Sequence, residues 1–169
     1  MKTNKSSFQS GFTLVELLIA IVVVAILMAI AIPSFLQTLD KRRLVGAADN
    51  LLANLRYAQA ESIKTNTQIT ATFTEGATWS YVVNSSPAKT TLGADYQGTS
   101  ITVATIGPIT YNPITFDPKR GMMVQAPAAA SSLIEITSAL GFKLGLEVSP
   151  LSHMRLCSPN NVGGYPACP

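Results

Sequence analysis

Ionisable side chains are scarce in this chain of 169 residues: 12% are charged, about half the usual share. With 47% apolar residues, the composition excludes a disordered chain, an acidic tail and a coiled-coil rod. Histidine occurs once, at His153, and cysteine twice, at Cys157 and Cys168. One imidazole and two thiols are too few for a structural zinc site. No Gly-x-Ser-x-Gly elbow accompanies His153, and no Walker loop or His-x-x-x-His pair is present. No enzymatic activity, metal or cofactor is therefore expected. The formal net charge is +3, an ordinary value for this length, and it does not by itself point to nucleic acid. The length allows one domain with a real core.

Apolar residues are unevenly spread. Residues 1–11 are polar, with Lys2 and Lys5 and no acid, whereas 12–32 are almost continuously apolar, interrupted only by Thr13 and Glu16. Twenty-one helical residues span about 30 Å, the thickness of a bilayer's hydrocarbon core. No other stretch is comparable, so one membrane segment is expected, with Lys2 and Lys5 left in the cytoplasm. A secretory signal would have a shorter apolar run with its cleavage site after it. Glu16 is conspicuous, because a carboxylate inside a membrane costs about 2.5 kcal/mol or more at the centre of a helix. It reads either as an interfacial acid on a single-pass anchor or as one member of an ion pair.

Beyond Pro33 the helical pattern resumes. Leu44, Ala48, Leu51, Leu55, Ala58 and Ser62 form one stripe, supported by Leu52 and Ile63. Lys41, Arg42, Asp49, Asn50, Asn54 and Lys64 are placed on the opposite face. One helix over about 13–64 is predicted, which Pro33 should kink or locally melt by removing an N–H and crowding the preceding turn. Short strands are predicted at 68–74, 78–84, 100–106, 113–116, 122–125, 133–138, 142–148 and 153–157. Trp79, Tyr81 and Val83 fall on one face of the second, with Trp79 read as a core residue. Residues 84–98 and 126–132 read as loops. One long helix followed by antiparallel strands is an α+β fold.

The segment Gly11-Phe12-Thr13-Leu14-Val15-Glu16, with its Lys-bearing leader and apolar run, resembles the class III signal of type IV pilins and type II secretion pseudopilins. The resemblance implies a leader over 1–11, cut by prepilin peptidase between Gly11 and Phe12 and followed by methylation of the new amine. It implies a transmembrane and filament-core helix over 12–33 and a periplasmic globular domain over 34–169. It makes Glu16 the fifth mature residue and Pro33 the twenty-second. In a stack of subunits, Glu16 of one chain would pair with the Phe12 amine of its neighbour, compensating both charges in a low-dielectric core.

Residues 51–73 are similar to the FimT/GspH branch of that family, as are Ile114-Thr115-Phe116 with the turn to Gly121. The end of the chain, from Ser149 through Cys157 to Cys168, is similar to FimT in particular. This implies a minor pilin, in or at the tip of a pilus, supporting assembly. The alternatives are a GspH-like minor pseudopilin of a type II secretion system and a dedicated DNA-binding receptor. Its partners would be other pilin subunits, prepilin peptidase and the inner-membrane assembly platform, and its location the inner membrane and then the cell-surface pilus. In the oxidising periplasm Cys157 and Cys168 would close a disulfide.

FimT-like pilins have been linked to DNA uptake in natural transformation through a C-terminal Gly-Arg-x-Arg motif. The matching positions here are Ser152-His153-Met154-Arg155. Arg155 is retained and His153 stands in for an arginine, with Lys143, Lys119 and Arg120 as further candidates if their turns converge. Double-stranded DNA would be held without sequence specificity, through phosphates. Lys41-Arg42-Arg43 is read as meeting phospholipid headgroups or neighbouring subunits. Without the leader's two lysines the chain has 10 basic and 9 acidic side chains, a net charge of +1. Any case for DNA therefore rests on local placement.

Overall fold

A computed structural model describes residues 12–106, 112–124, 131–149, 151–160 and 162–168. The expected leader and its cut at Gly11 lie outside the described residues. The first element is a 52-residue helix, α1 (Leu14–Thr65). Eight strands follow: β1 (Ile69–Thr74), β2 (Ser80–Val83), β3 (Lys89–Leu92), β4 (Thr99–Ile106), β5 (Ile114–Phe116), β6 (Ser131–Ser138), β7 (Lys143–Val148) and β8 (Met154–Cys157). The chain divides into two compact units, Met1–Gln37 and Thr38–Pro169.

In the first unit, Thr13 caps α1. Its Oγ1 accepts the Glu16 N–H at 3.2 Å, the first half of a capping box whose Thr-x-x-Glu spacing is written in the sequence. Glu16 also lies in the first turn, where the helix dipole favours an anion. The helix runs unbroken through Pro33, which corrects the local melting expected there. Flanking alanine, isoleucine and leucine keep the ladder helical, and Pro33 removes only one donor from it. Every described side chain of 12–37 is exposed. Among the described residues α1 alone is long and apolar enough to cross a membrane.

The second unit begins with the rest of α1. Leu44, Ala48, Leu51, Leu55, Ala58 and Ser62 are all buried, the stripe expected from a period near 3.6. They pack on two antiparallel four-stranded sheets, ordered β3-β2-β1-β5 and β4-β6-β7-β8. An isolated bridge between Gly76 and Ile101 links the sheets. Trp79, Tyr81, Val83, Ile114 and Phe116 enter the core from the first sheet; Ile134, Ile136, Leu144, Leu146 and Val148 enter from the second. Strand β6 alternates between half-buried and buried along its whole length, as a strand with one covered face must.

Four other expectations change. The loop read over 84–98 contains β3 and a short 3-10 turn, Gly93–Tyr96. Strand β3 lies at a sheet edge, so its Lys-Thr-Thr-Leu sequence carries little of the apolar alternation that marks a half-buried strand. Residues 131 and 132, read as loop, begin β6. The strand read over 122–125 reduces, in its described part, to one bridge between Met123 and Phe116, and Gln125 lies outside the described residues. Asn50 and Asn54 do not face solvent. They are half-buried against the Tyr81 hydroxyl, which donates to Asn50 Oδ1 at 2.5 Å and accepts from Asn54 Nδ2 at 2.7 Å. A helix–sheet contact can bury amides when a single phenol satisfies both.

Candidate assembly and nucleic-acid interfaces

The N-terminal candidates sit on the exposed apolar helix. Phe12 is 82% exposed. Glu16 is exposed in the first turn, its backbone N–H bonded to Thr13 and its carboxylate without an ion pair among the described residues. A run of uncovered leucine, isoleucine and valine needs lipid or other chains around it, because water is a poor environment for so large an apolar patch. Pro33 lies on the same exposed segment.

The two cysteines are joined, Cys157–Cys168, across 11 positions of sequence. Cys157 is on β8 opposite Gly145 of β7. The closed segment folds back on the strand end: Ser158 N–H donates to Pro166 O at 2.7 Å, and Ser158 Oγ accepts from Val162 N at 2.8 Å. A Cβ at Gly145 would lie 3.0 Å from both sulfurs and 2.7 Å from Leu133 Cδ1. Glycine is thus required for space, at a position whose role the sequence alone does not reveal. Tyr165, on the same terminal loop, has its phenol pKa raised, first by burial and then by the charge of Asp49.

The basic candidates divide into two groups. Arg155, Lys143 and His153 belong to the outer face of the β4-β6-β7-β8 sheet, because Arg155 pairs in register with Glu147, and Gly145 with Cys157. Arg155 Nε bonds Glu147 Oε2 at 2.5 Å, and Lys143 Nζ bonds Glu135 Oε1 at 2.7 Å. Both cations therefore meet a carboxylate across a strand. His153 is exposed, just ahead of β8, and its backbone N–H donates to Ser149 Oγ.

Lys119 and Arg120 lie in the exposed turn after β5 and do not join that group. Gly121 accepts a hydrogen bond from Gln59 Nε2 at 2.9 Å, while Phe142, next to Lys143, holds its ring 4.6 Å from Lys41 Nζ. Those helix positions are 18 residues apart, or about 27 Å along α1. The turns do not converge, because one lies by the start and the other near the end of the part of α1 that begins at Thr38.

Comparison with known proteins agrees with this architecture. Residues 6–32 match the model of the prokaryotic N-terminal methylation motif. Residues 47–151 match the model of the type II transport protein GspH. The type IV narrow pilus major component PilA5 of Thermus thermophilus is 37% identical over 95 residues, which cover 50% of this chain and 81% of that relative. No solved structure matches. The long helix with its methylation motif, the antiparallel sheets under its second half and these likenesses lead to one conclusion: the chain belongs to the GspH family of type IV pilin and pseudopilin subunits.

Proposed function

We propose that this chain is a subunit of a type IV pilus. Prepilin peptidase removes 1–11, residues 12–33 hold the product in the inner membrane, and 34–169 fold in the periplasm until an assembly platform draws the subunit into the filament. The observation that carries this reading is the uncovered apolar helix with one carboxylate near its start. Lipid covers such a surface before assembly, and neighbouring helices cover it afterwards. Glu16 then compensates the Phe12 amine of a neighbour.

The similarity at the end of the chain supports a minor role in or at the tip of a pilus. The likeness to a major pilus component supports a second reading, a subunit of the filament shaft. Quantifying the chain in sheared filaments separates the two: a trace component is a minor pilin, and a dominant one builds the shaft. Presence in the membrane but absence from sheared filaments, with loss of protein secretion on deletion, would favour the pseudopilin alternative, which the GspH model match supports.

A part in capturing DNA falls to Arg155, Lys143 and His153 on the outer sheet face. Phosphates would have to compete with Glu147 and Glu135 there, so any binding is weak and steeply salt-dependent.

A further inference from the structure

A groove of about 400 Å³ runs between α1 and the disulfide-closed terminal loop. Its apolar floor includes Val45 and Val162; Lys41 and Arg42 stand along it, and Asp49 lies one to two turns further on. At the other end of the same unit projects the turn Asp117-Pro118-Lys119-Arg120. It is held by Gly121 N–H on Asp117 O at 2.8 Å and Lys119 N–H on Asp117 Oδ1 at 3.2 Å. Gly121 closes it at φ +62°, and a Cβ there would meet Ile63 Cδ1 at 2.8 Å, so the turn ends close against the helix. Among the described residues no ion pair engages Arg42, Asp49, Asp117, Lys119 or Arg120.

We infer that the groove receives the 117–120 turn of a second copy of this chain. Each surface carries charge of both signs outside any ion pair among the described residues, so Asp49 faces Lys119 and Arg120 of the incoming turn while Lys41 and Arg42 face its Asp117. The two surfaces lie about 25 Å apart along α1, from the Val45 level to the Gln59–Ile63 level. The inference rests on the shaft reading, in which copies of this chain adjoin one another, and subunits anchored in one membrane stand parallel. Parallel copies cannot form a face-to-face contact about an axis in the membrane plane, but an axial shift brings one copy's turn to another's groove. A contact between two different patches is heterologous, and repeated without closure it builds an open filament.

The test is the content of full-length chain in sheared filaments for Asp49→Arg, Arg120→Asp and the double variant. All should show unchanged membrane levels and an intact Cys157–Cys168 bridge, since both side chains are exposed. Each single reversal is expected to lower filament content about tenfold, and the double to restore most of it, because every copy then carries the swapped pair. Carbodiimide treatment of unaltered filaments should join Asp49 to Lys119 between chains, as read by peptide mass spectrometry. Single variants that assemble normally, or a double no better than the weaker single, overturn the docking but leave the filament reading standing. Absence of the unaltered chain from filaments overturns both.

Discussion

Gly145 and Cys168 occupy one another's space: the hydrogen on Gly145 stands where any side chain would press on the Cys168 sulfur, 3.0 Å from an added Cβ. Strand β7 thereby accepts the terminal loop flat against its outer face. Gly145→Ala should destabilise the second unit by about 1–3 kcal/mol, since both sulfurs and Leu133 crowd the same methyl. Denaturant unfolding of the detergent-solubilised chain measures the loss. An unchanged midpoint would show that the loop shifts freely.

Reduction of Cys157–Cys168 releases a short loop, which the chain-entropy model values at roughly 3 kcal/mol. The melting temperature with and without reductant reads this directly. Cys157→Ser/Cys168→Ser should melt where the reduced protein does and no longer respond to reductant.

The Tyr81 phenol sits against Asn50 and Asn54 under the helix, and burial raises its pKa, with hydrogen bonds from Thr91 and Asn54 opposing the shift. Below pH 10 it is neutral in both folded and unfolded chains, and its contribution is fully present. Above pH 10 the unfolded chain ionises first, so stability falls toward the folded pKa, by up to about 1.4 kcal/mol per pH unit. Unfolding measured between pH 8 and 11 should show a shallower alkaline decline for Tyr81→Phe. That variant should also lose about 1–3 kcal/mol at pH 7, because two half-buried amides lose a partner.

Glu16→Ala should leave the amount of membrane-inserted, processed chain unchanged while reducing its share of sheared filaments. Normal incorporation would reject the pairing of Glu16 with the neighbouring Phe12 amine. Gly11→Asp should leave an uncut, heavier chain on a denaturing gel.

If DNA is a ligand, Glu147→Gln should strengthen binding by freeing Arg155, and Arg155→Ala should weaken it and flatten the salt slope by about one. Mobility shifts at low salt, repeated over a salt series, check both. No response to either change removes this sheet face from consideration.

Much of this molecule is local and therefore legible in its sequence. The stripe from Leu44 to Ser62 and the faces of β1 and β2 follow from periodicities of 3.6 and 2, which depend only on chain geometry, and the apolar run is plain from composition. The class III signal and the cysteine pair were equally readable, because their chemistry lies in neighbouring or unique residues. Tertiary structure decided the rest. Whether Asn50 meets water or Tyr81, whether Gly145 is slack or necessary, and whether Arg155 is free or held by Glu147 depend on partners 31, 23 and 8 positions away. The candidate basic cluster divided for the same reason. Lys143 and Lys119 are alike as residues, but strand order places them beside different sheets and at different levels of the second half of α1, and no local pattern records the order in which strands pair.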